Sequence, residues 1–297
     1  ALLATGCRNA PPAPVATAFQ GPDGQPVYID SLPVHRIVST MQSATEWLVA
    51  LGASDRLMAR TRYDRQAELA HLPSIGGGLE ASAEAVAALE PDVVLGWRIA
   101  ASVNLARALE PFHIPVVAVE ATDTAEAFRQ LDVIASLVGL TPRADSLAAA
   151  LRTELGALTQ AHCPAGAAKA STLILVSIEP PMTAGGPTWM SELLGAACLG
   201  NLFGDMDAAW PTVSLEAIAA RQPDWILTTR GDSTGVRLAE LRGNPVWRNL
   251  NAVAAGRIIE LDPDLFARLG PHMADWIRAV VAQMAAADAP APPRPGG

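Results

Sequence analysis

A segment of fourteen residues occurs twice in the 297-residue chain. Residues 82–95 match residues 214–227 at eight positions without a gap, at an offset of 132 residues. Each copy starts with serine, has a glutamate two residues later, as suits a capped helix start, and continues through Pro-Asp into an apolar stretch typical of a buried strand. The repeat favours two lobes of one design, although the same pattern is also a common way to join a helix to a strand.

Strand-like and helix-like stretches alternate along most of the chain. After a hairpin predicted around 22–29, the pattern predicts strands at 36–39, 57–59, 93–96 and 116–119 and helices at 44–51, 84–89, 101–109 and 124–137. A second series runs from a strand at 172–177 to a helix at 273–287. Such alternation is typical of mainly parallel sheets covered by helices, so we predict an α/β fold.

One predicted helix is longer than the others. Pro142 suits its first turn, no proline follows before residue 160, and leucines 147, 151, 155 and 158 share one face. We therefore expect two similar lobes joined by a single long helix. The expected boundaries are a tether at 1–18, the N-terminal lobe at 19–139, the connecting helix at 140–163, the C-terminal lobe at 164–287 and a Pro-rich tail at 288–297.

Charge and motif content argue against several functions. Thirty acidic against 21 basic residues give a formal charge of −9, which repels phosphate backbones and argues against nucleic acid as a partner. The chain has no Gly-x-Ser-x-Gly elbow and no phosphate loop, and the glycines at 76–78 lack the spacing of a dinucleotide fingerprint. Its five histidines stand far apart. We therefore expect no catalytic residues, no metal site and no cofactor.

The amino-terminal segment indicates export. Residues 1–7 run from apolar and small residues into Cys7, which resembles the lipoprotein processing box at the end of a bacterial signal peptide. The alternative is a truncated signal peptide with a chance cysteine. The Pro/Ala tract that follows suits a tether between membrane and domain. We expect a protein of the periplasm or the outer face of the cytoplasmic membrane, attached to the membrane only through a lipid on Cys7.

Two further cysteines could form a disulfide in that compartment. Cys163 and Cys198 can pair only if their Cα atoms come within about 4.4 to 6.8 Å of each other. The sequence alone leaves this open.

Tryptophan is unusually frequent, with seven residues beside only two tyrosines. Three lie in apolar patterns that predict the core: Trp47, Trp225 and Trp276. The sequence leaves Trp189 and Trp247 undecided. By contrast, Trp97 follows the predicted strand 93–96, and Trp210 lies in a turn-rich stretch before the second repeat. Ligands of open α/β sheets bind beyond the carboxyl ends of the strands, where flat side chains can stack on them. Trp97 and Trp210 are therefore candidate ligand-binding residues.

Glu84 and Glu216 occupy the same position in the two repeats. A carboxylate in a first helical turn is stabilised by the helix dipole by about 0.3 to 1 kcal/mol, and this is the preferred explanation from spacing alone. Alternatively, one acidic residue per lobe forms a matched pair for a cationic docking surface.

Several stretches resemble one family of transport proteins. Residues 36–40 (RIVST), Thr45-Glu46, 50–52 and the repeat at 84–92 are similar to the substrate-binding proteins of ABC importers that are built around one long helix. This group carries cobalamin, haem and ferric siderophores. The likeness covers about 19–287 and is strongest to its cobalamin-binding members. The stretches that match those members are 96–98, 119–122, 180–185, 210–216 and 264–271.

The resemblance implies a corrinoid, such as cobalamin, held in a cleft between the lobes. The residues at positions that line the cleft in this family, or lie next to them, are Tyr63, Asp64, Trp97, Arg98, Trp210, Asp264, Phe266 and Arg268. The resemblance also implies that Glu84 and Glu216 dock to arginines of a membrane permease, which works with an ATPase. This docking role replaces the helix dipole as the preferred explanation for the two glutamates. We expect a monomer that performs no bond chemistry and whose lobes move little on binding.

The sequence also departs from the cobalamin-binding members. Residues 76–79 and Leu265 stand where those members have tryptophans, and the helix after Met273 lacks their second disulfide cysteine. A haem or ferric-siderophore carrier of the same class is therefore an alternative, with Tyr63 as the candidate axial ligand of haem.

Two alternatives come from other classes of protein. A two-lobed enzyme would use Asp64, Asp264 and Arg98 in acid and base roles. A surface sensor would signal to a partner instead of releasing its ligand for import.

Overall fold

The computed structural model describes residues 17–230 and 238–288, which form two compact units. Unit 1 comprises the described part of 1–41 together with 53–119 and 133–140. Unit 2 comprises 42–52, 120–132 and the described part of the chain from 141 onwards. Each unit contains a mainly parallel sheet with helices, which confirms the predicted α/β class with two lobes. Cys7 lies outside the described residues, as do nearly all of the predicted tether and tail.

The N-terminal half of the chain forms a hairpin and a four-stranded parallel sheet. The hairpin is β1 (Thr17–Gln20) and β2 (Pro26–Ile29), and the sheet strands are β3 (Ile37–Ser39), β4 (Leu57–Ala59), β5 (Val93–Gly96) and β6 (Val116–Ala118). The helices are α1 (Gln42–Ala50), α2 (Ala83–Ala87), α3 (Ala100–Leu109) and α4 (Thr124–Val138). The strand order is β4-β3-β5-β6, and every pairing in this sheet is parallel.

The C-terminal half forms a five-stranded sheet. Its strands are β7 (Ala170–Ile178), β8 (Pro181–Thr183), β9 (Leu199–Asn201), β10 (Trp225–Thr229) and β11 (Ile258–Leu261). Its helices are α5 (Thr141–His162), α6 (Trp189–Ala196), α7 (Leu215–Arg221), α8 (Leu238–Gly243), α9 (Asn251–Ala254), α10 (Pro263–Ala267) and α11 (Met273–Asp288). The order is β11-β10-β7-β8 with β9 also paired to β7, and only the pairing of β8 is antiparallel.

The predicted long helix is present as α5, with 22 residues. Its carboxyl end is covalently tied to the start of β9, because Cys163 and Cys198 form a disulfide with Cα atoms 4.6 Å apart. Over 17–230 and 238–288, no helix has both the length and the apolar character needed to cross a bilayer.

The two sequence repeats fold alike at their helix starts. Ser82 accepts a hydrogen bond from the N–H of Ala85 at 3.2 Å, and Ser214 accepts one from the N–H of Ala217 at 3.1 Å. Both serines thus cap a helix, as predicted, because each satisfies an amide that has no partner inside its own helix.

The aspartate of each Pro-Asp pair has the same structural role. Asp92 Oδ2 accepts the backbone N–H groups of His35 and Arg36 at 2.7 and 2.9 Å, just before β3 begins. Asp224 Oδ2 accepts the backbone N–H of Ser171 at 2.8 Å, at the start of β7. Each carboxylate therefore joins the start of its own strand to the neighbouring strand.

Helix α1 packs in unit 2 although it comes from the N-terminal half of the sequence. The indole of Trp47 is fully buried, and its Nε1 donates to Gln130 Oε1 at 2.9 Å. Gln130 in turn donates to Ser43 Oγ at 3.3 Å. The expected lobes at 19–139 and 164–287 are continuous stretches, whereas the compact units are assembled from interleaved segments.

Candidate ligand-binding site

Two of the seven tryptophans keep part of their rings at the surface. Trp210 is 46% exposed and Trp97 is half-buried. The other five are at most 6% exposed: Trp47, Trp189, Trp225, Trp247 and Trp276. This confirms the core prediction for three of them and assigns Trp189 and Trp247 to the core, where Trp189 packs edge-on against Trp276. Exposed indoles are large apolar surfaces, so Trp97 and Trp210 remain the aromatic candidates for ligand contact.

Trp97 directly follows the carboxyl end of β5, which ends at Gly96. This is the predicted position, at the edge of a parallel sheet where ligands bind. The indole ring lies against the backbone of Gly78. The next residue, Arg98, is exposed and donates from Nη2 to Gln20 Oε1 of β1 at 2.6 Å, so its guanidinium contacts the hairpin.

A second loop of unit 1, after β4, carries Tyr63 and Asp64. Tyr63 is 46% exposed, and the Arg62 guanidinium lies 5.6 Å from the centroid of its ring. Arg62 also forms an ion pair with Glu80. Asp64 is buried, and its Oδ2 accepts the N–H of Thr61 at 2.6 Å. The carboxylate of Asp64 therefore helps to shape the turn that presents Tyr63.

In unit 2, the loop that carries Trp210 is fixed by its backbone. Four main-chain hydrogen bonds join it to the stretch 181–186, at distances of 2.8 to 3.1 Å. They run from Thr183 N–H to Pro211 O, from Val213 N–H to Pro181 O, from Gly185 N–H to Ala209 O and from Gly186 N–H to Met206 O. Because the loop is held on both sides of Trp210, its exposed ring is presented from a rigid support.

Three charged side chains of unit 2 form one ionic cluster. Arg268 donates from Nη1 to Glu46 Oε1 and from Nη2 to Asp264 Oδ1, both at 2.7 Å. The side chains of Glu46, Arg268 and Asp264 are 7%, 12% and 32% exposed. Helix α1 contributes Glu46 and α10 contributes Asp264. The predicted site residues Asp264 and Arg268 are thus brought together, with Asp264 as the most exposed member.

Burial raises the pKa of Glu46 above its ordinary value of 4.5. The hydrogen bond and the positive charge of Arg268 oppose this rise, as does the nearby His272, whereas Asp264 adds to it. Taking a carboxylate out of water favours its neutral form, and a cation at hydrogen-bonding distance favours its charged form.

Phe266 lies on α10 between Asp264 and Arg268 but is buried. Its ring therefore supports the helix from within, while the two charged residues stand nearer the surface.

The two glutamates of the repeat are both exposed, in the first turns of α2 and α7. Ser82 Oγ donates to Glu84 Oε2 at 2.7 Å, and this hydrogen bond is the main cause that lowers the pKa of Glu84. The carboxylate of Glu84 is consequently ionised at neutral pH, as a docking contact with a cation requires.

In the part of the chain that the structure describes, no three His, Cys, Asp or Glu side chains are grouped so that they could hold a metal ion.

A family model of periplasmic binding proteins matches residues 37–265. The chain belongs to this family. It is 28% identical over 291 residues to the uncharacterized ABC transporter substrate-binding lipoprotein YvrC of Bacillus subtilis (strain 168), covering 93% of this chain and 91% of that protein. It is 26% identical over 252 residues to the vitamin B12-binding protein of Pectobacterium carotovorum subsp. carotovorum (strain PC1), covering 84% and 88%.

A solved structure gives the same fold. The periplasmic heme-binding protein of Pseudomonas aeruginosa superposes with a TM-score of 0.73 at 27% identity, covering 85% of this chain and 92% of that one. These comparisons confirm the family that the sequence resembles, which is a family of binding proteins.

One residue of the ionic cluster was not predicted as a site residue. Glu46 appears in the sequence only as part of the Thr45-Glu46 stretch that resembles the family. Glu46 lies in the apolar pattern of α1, beside Trp47 and Leu48. A carboxylate among core residues needs a partner, so this position is the signal that could have identified Glu46 as a site residue.

Proposed function

We propose that the protein captures a corrinoid such as cobalamin outside the cytoplasm and delivers it to the permease of an ABC importer. The observation that carries this proposal is the exposure of two indoles: Trp97 is half-buried in unit 1 and Trp210 is 46% exposed in unit 2. A corrin ring offers a broad face for stacking on an indole and a polar rim for hydrogen bonds. The relative named as a vitamin B12-binding protein supports the same ligand class.

Around the two indoles, the proposal assigns polar and supporting roles. Tyr63 and Arg98 supply hydrogen-bonding groups in unit 1, and Asp64 holds the turn that carries Tyr63. In unit 2, Asp264 and Arg268 supply polar contacts, and the buried Phe266 supports them. The protein binds and releases its ligand and breaks no bond.

The experiment is a calorimetric titration with cyanocobalamin, together with tryptophan emission. The wild type is expected to release heat and to lose emission on binding, and Trp97→Ala or Trp210→Ala to weaken affinity about tenfold or more, as loss of a central aromatic contact does. Tyr28→Ala removes an exposed aromatic ring of β2, outside the proposed site, and is the matched control. Absence of heat with the wild type would remove the corrinoid from the proposal.

Delivery requires a docking surface and a location outside the cytoplasm. We assign docking to the exposed Glu84 and Glu216, which repeat the same helix position in the two halves of the chain. Attachment to the membrane through Cys7 is part of the proposal, and it is tested by mass spectrometry of the mature protein for a lipid on that residue. A relative named as a substrate-binding lipoprotein supports both assignments.

Haem is the second candidate ligand, because Tyr63 places a phenol at the surface of unit 1. A phenolate oxygen is one of the axial ligands that proteins offer to haem iron. Mixing the protein with hemin separates the two candidates: a shifted Soret band that is lost in Tyr63→Phe favours haem, and an unshifted band favours the corrinoid.

A further inference from the structure

We propose that an apolar groove beside Glu84 receives a bulky apolar side chain of the permease, on the same segment as the cation that pairs with Glu84. This inference rests on the proposed function, because it deepens the docking role assigned to that glutamate. It adds a contact surface, and a chemistry for the partner, that the two repeat glutamates do not supply.

The groove lies within unit 1, between the stretch 78–83 and helix α3, and has a volume of about 350 Å³. Ala81 and Ala83 form part of one wall, and Leu105 and Ala108 form part of the other. Ala81, Ala83 and Leu105 also pack against the hydrophobic core of the unit. The walls are therefore backed by buried residues, and the groove is formed before a partner arrives.

The carboxylate of Glu84 stands at the rim of this groove. Ser82 Oγ donates to Glu84 Oε2 at 2.7 Å, so the carboxylate is turned back towards residue 82. The residues on either side of Ser82, Ala81 and Ala83, both line the groove. Glu84 itself is exposed. A negative charge that is open to solvent thus lies next to an apolar cavity.

The lining indicates the chemistry of the occupant. Seven of the nine lining residues are glycine, alanine or leucine, and the other two are Ser102 and Asn104. One of the apolar residues, Leu79, is 60% exposed. The volume is near the lower limit of the about 300–1,000 Å³ typical of small-molecule pockets, which suits a partner's side chain better than a macrocycle. A segment with an arginine or lysine next to a leucine, methionine or phenylalanine matches both the charge and the groove.

The second repeat provides an internal comparison. At the offset of 132 residues, Ala81 and Ala83 correspond to Val213 and Leu215. Val213 is part of the core of unit 2, and Leu215 packs against that core. Leu215 is the first residue of α7, and Ser214 caps that helix. A leucine directly after the capping serine is therefore compatible with this helix start, so we expect Ala83→Leu to fold.

The test measures the affinity of the protein for the permease–ATPase complex in nanodiscs. Ala83→Leu and Ala108→Leu fill the groove from opposite walls. Each is expected to weaken permease affinity about tenfold, as loss of one buried apolar side chain does, and to leave cyanocobalamin affinity unchanged. Ala150→Leu adds the same atoms at an exposed position of α5 and is expected to change neither affinity.

Salt separates the groove from the charge beside it. Raising the salt concentration from about 0.1 to about 1 M shortens the Debye length from about 10 to about 3 Å. The loss of affinity caused by Glu84→Gln is therefore expected to shrink, whereas the loss caused by Ala83→Leu and Ala108→Leu is expected to persist, because apolar contacts are not screened. Losses that shrink alike in all three variants would mean that the leucines act only by moving Glu84, and would overturn the inference.

The remaining outcomes separate this inference from the proposed function. Wild-type permease affinity in both leucine variants, together with weaker binding by Glu84→Gln, overturns the groove contact and leaves docking through Glu84 standing. If the leucine variants weaken cyanocobalamin binding instead of permease binding, the groove belongs to the ligand and the inference is wrong. If the complex does not bind the wild-type protein, the proposed delivery falls and this inference falls with it.

Discussion

The backbone of Gly78 lies in contact with the indole of Trp97. A Cβ atom added at Gly78 would stand 2.9 Å from the ring carbons Cη2 and Cζ3, and 1.9 Å from the carbonyl oxygen of Thr40. Real side chains do not approach so closely. A residue without a side chain is therefore needed for the loop at 76–80 to pack between Thr40 and the indole.

Gly78→Ala is predicted to displace either the Trp97 indole or the loop at 76–80 that contacts it. The overpacked methyl group is expected to lower the free energy of unfolding by about 1–3 kcal/mol. Because Trp97 is a proposed ligand contact, the variant is also expected to bind cyanocobalamin about tenfold more weakly. Urea denaturation measures the first effect and calorimetry the second.

Gly156→Ala is the matched control, because Gly156 lies in α5 with no neighbouring atom within 4 Å of an added Cβ. The same chemical change there is expected to raise stability by about 0.5–1 kcal/mol through helix propensity and to leave affinity unchanged. Wild-type affinity and stability in Gly78→Ala would show that the loop adapts without moving the ring.

Reduction of the disulfide is predicted to destabilise unit 2. Cys163 and Cys198 are separated by 35 positions, so their bond removes loop-closure entropy from the unfolded chain. For a loop of this length the loss is about 3–4 kcal/mol. Urea midpoints with and without dithiothreitol measure it, and a Cys163→Ser/Cys198→Ser protein is expected to match the reduced wild type and not to respond to the reductant. Equal midpoints for oxidised and reduced wild type would contradict the prediction.

Local structure could be predicted from the sequence because its causes are local. The predicted strand at 57–59 is β4, and the predicted helix at 273–287 is α11 with one more residue. Apolar periodicity shows that a face is buried, but it does not show what covers it. The packing of α1 in unit 2 depends on the bond from Trp47 to Gln130, 83 positions away, which no local pattern indicates.

The candidate site was only partly visible for the same reason. The flanking residues separated Trp97 and Trp210 from three of the buried tryptophans. The sequence left the other two undecided, and both are buried: Trp189 and Trp247. The burial of Phe266 and Asp64, however, is set by tertiary neighbours. The pairing of Glu46 with Arg268 joins the first and last parts of the chain, so spacing in the sequence carries no trace of it.

The stability of the protein is predicted to depend on pH through Glu46. Because burial raises its pKa above 4.5 in the folded state, protonated Glu46 favours folding. This contribution is fully present below about pH 4.5 and is lost as the pH rises through the folded-state pKa. Glu46→Gln cannot titrate at this position. The difference in unfolding free energy, wild type minus Glu46→Gln, should therefore increase as the pH falls from about 7 to 4.5.

Urea denaturation of both proteins across this pH range measures the difference directly. A difference that stays constant, or that shrinks on acidification, would mean that Arg268 outweighs burial and holds the folded-state pKa at or below its ordinary value.

Charge reversal at the two repeat positions is predicted to separate binding from transport. Glu84→Arg combined with Glu216→Arg places cations where the proposal has carboxylates, and like charges across an interface cost several kcal/mol. The double variant is expected to bind cyanocobalamin like the wild type but to lose uptake in proteoliposomes that contain the importer. Both residues lie outside the loops that carry Trp97 and Trp210, which is why affinity should hold.

Glu240→Arg distinguishes docking from a simple effect on helix stability. Glu240 also lies in a first helical turn, that of α8, so its reversal removes a comparable helix-dipole contribution of about 0.3–1 kcal/mol. If docking is the role of the repeat glutamates, Glu240→Arg transports normally and the double variant does not. Normal uptake by the double variant would contradict the docking role and leave the helix dipole as the sole explanation for Glu84 and Glu216. Ser82 and Ser214 still cap both helices in that variant.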